Sequence, residues 1–281
     1  MLADYLIFSL ALGTLIGATI SDIKTREIPD MLNFGFISSI FAVRLMYSIL
    51  YKEPAYFLYG LLFFGIFFGV GLIMYRLKQW GGGDVKLFGG LGLVFATKPD
   101  FLDTNVPLFV LFIFSCVIGG AAYGIAYSIK LGIKHRKGFL KEAKKLLKKN
   151  RLQRISLLVV CAILVAFSIF IEVASIKSVL LLIVSLLLTL LYVHPLIKAV
   201  ENVSMYKYLD VKNLSEGDWV AEEVIVKGKV ICSPKDLGLT KEQIKKLQDA
   251  KIKKVLVKEG MPFVPGFLIA FILTFLLAYI I

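Results

Sequence analysis

Cysteine and histidine are scarce, with three Cys and two His in 281 residues. Cys116 and Cys161 fall in apolar runs and Cys232 in a polar stretch, and no two have metal-ligand spacing. Neither a disulfide framework nor a His/Cys zinc site is expected, and no metal or other cofactor is implied. The run Gly81-Gly82-Gly83 lacks the spaced Gly-Lys-Ser/Thr pattern of a phosphate-cradling loop. The first residues, Met1-Leu2-Ala3-Asp4, carry an acid where a cleavable leader has its positive region, so the first apolar segment is expected to stay as a spanning helix. Acids are few: 20 Asp and Glu stand against 33 Lys and Arg, a net charge of +13.

What the chain has in excess is apolar sequence. Hydrophobic residues make up 58% of it and the mean hydropathy is +0.81, above the share usual in a soluble domain. Runs near 3–20, 31–50, 56–75, 85–97, 107–129, 155–172, 177–196 and 263–281 reach or approach the roughly 20 residues that cross a bilayer as helix. The expected fold is a polytopic α-helical membrane protein of about eight transmembrane helices, with a small α+β cytoplasmic domain before the last. The basic charge follows topology, and no nucleic-acid partner is expected. With the N-terminus outside, the inside segments 21–30, 76–86 and 130–154 hold sixteen Lys and Arg, against Lys52, Lys98 and Lys177 in the outside loops. Both termini then lie outside, and Arg44, within the second span, would snorkel outward.

The chain divides into five parts. Residues 1–129 hold five spans, and the short fourth one carries Gly89, Gly90 and Gly92, small residues suited to close helix contact. In residues 130–154 eleven Lys and Arg accompany the single acid Glu142, while Phe139, Leu140, Ala143, Leu146 and Leu147 recur at helical spacing. This linker reads as an amphipathic helix resting on anionic membrane lipid. Residues 155–196 read as a transmembrane hairpin. Residues 197–262 read as the small soluble domain, with strands at 224–226 and 229–231 around the turn Lys227-Gly228. There, Thr240 and Gln243 form a capping box for a helix to Ala250, and a strand follows at 254–257. Residues 263–281 return to the membrane, with Pro262 and Pro265 marking the entry.

Two acids stand out, because an ionisable residue beside a membrane span is costly and is a functional candidate. Asp22 follows the first span and Asp84 precedes the fourth. The first span runs inward and the fourth outward, so both acids arrive at the cytoplasmic face. Two such carboxylates side by side share a proton: the ionised one can deprotonate a water while the protonated one polarises a scissile carbonyl. The pair titrates as a unit, which leaves the division of roles open. Gly81 and Gly83, lacking Cβ, would let a substrate backbone approach closely. Lys86 and Asp30 are supporting candidates, Asp30 reading also as a cap for the second span. Taken alone, each acid has an ordinary reading as a helix cap or interfacial loop residue. Asp100 and Asp103 fall in an outside loop and are poor partners for Asp84.

Gly81-x-Gly83-Asp84, followed by Lys86, and Asp22-Ile23-Lys24-Thr25-Arg26-Glu27-Ile28 together resemble the archaeal type IV prepilin and preflagellin (archaellin) peptidases, the Gly-x-Gly-Asp membrane aspartic proteases. Leu214-Ser215-Glu216-Gly217-Asp218-Trp219 and Glu259-Gly260-Met261-Pro262-Phe263-Val264-Pro265 resemble the C-terminal region of their longer members. The resemblance implies that Asp22 and Asp84 are the catalytic pair. It implies an endopeptidase that removes short basic leaders from pilin-like precursors at the cytoplasmic membrane face. Bacterial relatives carry a cysteine-rich region and also N-methylate their products; without such cysteines, proteolysis alone is expected here. The hairpin at 155–196 departs from the shorter archaellin peptidases.

Three other readings remain in view. A presenilin-like intramembrane protease shares Gly-x-Gly-Asp, yet this chain has Pro195-Leu196 and no Pro-Ala-Leu triplet. An ion-coupled transporter would place its carboxylates near the bilayer midplane. A scaffold would leave both aspartates structural. Oligomeric state is not encoded in any of these features.

Overall fold

Glycine sets the spacing of the helices in a computed structural model that describes residues 2–99, 102, 104–149, 151–226 and 228–280. Asp100, Asp103 and Lys227 lie outside the described residues. Helices α1 (Leu2–Thr25), α2 (Asp30–Tyr51) and α3 (Pro54–Arg76) are followed by the shorter α4 (Gly82–Phe95) and by α5 (Leu108–Lys134). A Cβ on Gly92 would sit 2.5 Å from the Phe63 carbonyl oxygen, and one on Gly90 would sit 2.6 Å from the Phe36 ring. Only glycine permits α2 and α3 to close on α4 this tightly. As a result α4 is buried on all sides from Leu87 to Phe95.

Polar residues hold the turns between these helices. Lys52, with φ 57°, ends α2 in the left-handed conformation, and Pro54 opens α3 at a position where a missing N–H costs nothing. Arg44 does not snorkel. It is 1% exposed, with Nε donating to the Leu93 carbonyl at 2.7 Å, a terminal nitrogen to the Tyr56 carbonyl at 2.8 Å and the other to the Thr97 hydroxyl at 3.1 Å. The last carbonyls of α4 have no partner within the helix, and the guanidinium supplies one where outward snorkelling would leave them unsatisfied.

Five helices are long and apolar enough to cross a membrane among the described residues, or six if α6 (Arg136–Lys149) and α7 (Arg151–Ile169) form one bent span. The expected count of eight is therefore met only in part. The two expected spans of α4 and the last helix, α10 (Val264–Ile280), come out at 14 and 17 residues.

The chain divides into two compact units, residues 1–126 with 209–281, and residues 127–208. In the first, α10 lies along α1, with Phe8 stacking edge-on to Phe275 at 5.0 Å, and meets α5 at Gly119 and Gly120. Ahead of α10 comes a small α+β region. Strand β1 (Tyr206–Asp210) runs across the boundary between the units, and β2 (Trp219–Val220) pairs antiparallel with β5 (Lys254–Lys258), with Val220 opposite Val257. Strands β3 (Val224–Val226) and β4 (Lys229–Cys232) make a hairpin, and α9 (Lys241–Asp249) starts at the expected Thr240–Gln243 capping box. Val211, Val220, Leu239, Leu247, Val255 and Val257 form its core.

In the second unit α7 packs on α8 (Ala174–Ser204). The basic α6 meets the same helix through Gly138, set against Val203, and through Glu142, which accepts from Asn202 Nδ2 at 3.1 Å.

Candidate active site

Ser21 and Thr25 close the turn that joins α1 to α2. The Ser21 hydroxyl donates to the Glu27 carbonyl at 2.8 Å, and the Thr25 hydroxyl lies within reach of the Ser21 and Glu27 carbonyls at 2.9 and 3.2 Å. Arg26, at φ 62°, takes the chain out of the helix. The turn lays Ile28 on Gly83, where a Cβ would lie 3.2 Å from the Ile28 side chain. Two further links follow from the start of α2. Asn33 Nδ2 donates to the Gly83 carbonyl at 3.2 Å, and Asp30 forms an ion pair with Lys86, whose ammonium also sits 4.9 Å from the Phe34 ring centroid. The two sequence segments that carry the aspartates are thus bound to one another through Gly83 and Lys86.

Asp22 lies in the last turns of α1 and is 5% exposed. Its Oδ2 accepts the backbone N–H of Val264 at 2.9 Å. Asp84 is the third residue of α4, half-buried, and its Oδ2 reaches back to accept the Gly81 N–H at 2.9 Å. The helix therefore begins earlier than the apolar run does, and Asp84 belongs to its first turn. A carboxylate is favourable there, beside N–H groups that have no partner within the helix. The α1 helix ends where α4 begins, so the two acids share one end of the helical block, and Asp22 is close enough for its charge to act on Asp84.

All six candidate residues, Asp22, Asp84, Gly81, Gly83, Lys86 and Asp30, come from this one end of the block. Asp30 does not cap α2: Pro29 holds the cap position, and no side-chain cap bond forms there. The Lys86 ammonium draws the Asp30 carboxylate instead. Among the described residues no three His, Cys, Asp or Glu side chains are grouped to hold a metal ion.

Sequence reasoning missed Asn33, Trp80 and Val264. A fully buried Asn inside an apolar run was a usable signal for the first, since amides in spans need a partner. Trp80 and the Val264 N–H carried none, because their roles depend on contacts made across the fold. The small α+β region also approaches this end. Burial holds the Asp218 carboxyl above its ordinary range; the Ser215 N–H opposes this, and the Glu27 and Glu259 carboxylates add to it.

Residues 9–125 match the model of the type IV leader peptidase family. Over 113 residues, 38% of this chain, the sequence is 31% identical to the prepilin peptidase EppA of Methanothermobacter thermautotrophicus. The match spans 29% of that relative's length. No solved structure matches the chain. The matched stretch carries Asp22, Asp84 and every residue that links them except those of α10, and over residues 9–125 this chain is similar to the type IV leader peptidase family.

Proposed function

We propose that this protein is a membrane aspartic endopeptidase that removes the leader peptide of type IV pilin-like or archaellin precursors at the cytoplasmic membrane face, with Asp22 and Asp84 as the catalytic pair. The observation that carries the proposal is the placement of two acids from separate helices at one end of the block, inside the segment that matches the family model. The relative's name, a prepilin peptidase, supports a pilin-like substrate class.

The chemistry follows from the pair. One aspartate, ionised, takes a proton from a water, and that water attacks the scissile carbonyl. The other, protonated, donates to the carbonyl oxygen as it gains charge, then the pair returns a proton to the leaving amine. No metal or cofactor enters this scheme. Gly81 and Gly82 present little side-chain bulk at the head of α4, so an extended peptide backbone can come close to Asp84. Asn33, Lys86 and Asp30 hold that head in place against α2. The precursor's own apolar helix would lie in the membrane beside the block. No methyltransfer is assigned to the chain.

The test is co-expression in membranes with a tagged panel of pilin and archaellin precursors, following their size. Wild type should shorten at least one precursor, while Asp22→Asn and Asp84→Asn, each inserted at normal levels, should lose activity by about 10²–10⁴-fold or more. A panel left wholly intact by wild type, or a variant that cuts at the wild-type rate, would sink the assignment.

A further inference from the structure

The segment that begins α10 touches both halves of the aspartate site, although it lies outside residues 9–125 that match the family. Its Val264 N–H donates to Asp22 Oδ2 at 2.9 Å. Its two rings, Phe263 and Phe267, each lie 5.2 Å from Trp80, the residue just ahead of Gly81. Trp80 in turn packs on Phe88 of α4 at 5.0 Å, and Phe88 stacks on Phe267 at 5.5 Å. One short stretch of backbone and two side chains therefore fix the Asp22 carboxylate and the entry to α4 relative to each other.

We propose that the head of α10, residues 263–267, is a positioning element for the aspartate pair, in which the Val264 N–H orients the Asp22 carboxylate and Phe263 and Phe267 clamp Trp80 beside the Gly81–Asp84 turn. The proposal rests on the reading of Asp22 and Asp84 as the catalytic pair. Val264 is the first residue of α10, so its N–H has no acceptor within the helix and is available to a carboxylate. The start of a helix also carries partial positive charge, which favours the ionised acid. The charged groups around Asp22 come from other elements. Arg26 acts from the end of α1 and Asp84 from α4. On α2, Asp30 is engaged by Lys86 and Arg44 lies at the far end with the Leu93 carbonyl, while α10 itself has no charged residue. What the head of α10 brings to Asp22 is backbone N–H groups, that of Val264 foremost and that of Phe263 after it.

The Val264 donor can be deleted in two ways, of which the proline also puts a ring carbon where the N–H meets Asp22 Oδ2. Proline is well tolerated at the first position of a helix, so Val264→Pro removes the N–H while keeping the helix start. Val264→Ala keeps the N–H and removes side-chain bulk. An ester at residue 264, made by incorporating α-hydroxyisovalerate, deletes the same donor and serves if the proline variant does not accumulate.

The first readout does not depend on proteolysis. Membranes are treated with a hydrophobic carbodiimide, which reacts with protonated carboxyls, and labelling of Asp22 is followed against pH by peptide mass spectrometry. The Val264→Pro and ester variants should show half-maximal labelling about one pH unit higher than wild type, and Val264→Ala should match wild type. In the cleavage assay the acid limb of the pH profile should move in the same direction for the donor-less variants only. Identical labelling curves for Val264→Pro, the ester and Val264→Ala would overturn the proposal. If wild type cuts no precursor but the labelling curve still moves, the protease reading fails and the contact between α10 and Asp22 stands.

Discussion

The two ends of α4 are built from opposite materials. At its head are the Asp22, Asp84 and Asp30 carboxylates, glycines and backbone donors, and the cover is uneven: Asp22 is 5% exposed, Asp84 is half-buried and the Asp30 side chain is 66% exposed. At its tail a guanidinium, 1% exposed, binds the Leu93 and Tyr56 carbonyls and the Thr97 hydroxyl, while Tyr56 donates to Asp4 at 3.1 Å. The same face of α2 serves both ends, through Asn33 at one and Arg44 at the other. The tail has its hydrogen-bonding groups matched and sealed, which makes it the fixed point. The head keeps Asp84 and Asp30 at the edge of the packing, while Asp22 is buried. On the proposed function, a sealed far end lets the near end stay partly open without losing its geometry.

The comparison breaks most visibly at Arg44. Replacing it by Met leaves buried carbonyls without donors and should cost about 2–5 kcal/mol of stability, read as a lower thermal midpoint in lipid nanodiscs. An unchanged midpoint would mean that the tail is not the anchor. A smaller loss is expected along the shaft of α4. Gly92→Ala drives a methyl into the Phe63 backbone and should cost about 1–3 kcal/mol, whereas Gly82→Ala, at the open head with nothing within 4 Å of its Cβ, should unfold like wild type. Equal effects at the two glycines would erase the contrast.

Weaker still is the ion pair at the head. Lys86→Met should change stability by no more than about 1 kcal/mol, because the pair is partly solvated. A drop in precursor cleavage at unchanged midpoint would sharpen the division between a holding end and a working end. The smallest effect concerns Asp218. Its carboxyl titrates above the ordinary range because it is partly buried beside Glu27 and Glu259, so the folded state holds this proton more firmly than the unfolded chain does. Stability should then decline as pH rises from the ordinary carboxylate range toward the folded value, and Asp218→Asn should flatten that decline in a pH series of unfolding midpoints.

Much of the candidate site, as a grouping of residues at one end of the helices, was legible in the sequence. Asp22, Gly81, Gly83 and Asp84 were marked by acids and glycines beside apolar runs, where each is costly without a reason. The helices of the first block were legible as apolar runs, and the α9 cap as Thr240 with Gln243 three residues on. Other features resisted for identifiable reasons. Arg44 read as a snorkelling cation because hydropathy does not reveal that a neighbouring helix ends short and leaves carbonyls to satisfy. Strands β1 and β2 were missed because Tyr206–Asp210 continues straight from α8, and Trp219–Val220 is too brief for alternation to register. The Val264 donor is a main-chain group, identical in every residue but proline, so no side-chain pattern can announce it.

The length of α4 has a consequence for how the protein is made. Fourteen residues rise about 21 Å, well short of the roughly 30 Å of hydrocarbon in a bilayer. With an acid at its head and three glycines inside, such a segment is poorly suited to settle in lipid unaided, and in the finished protein its apolar residues touch other helices instead. Its partners, α2 and α3, are long enough to insert independently. During biogenesis the aspartates should therefore meet late: the longer helices enter first, the short one threads between them, and the nascent chain carries no assembled site until that docking is complete.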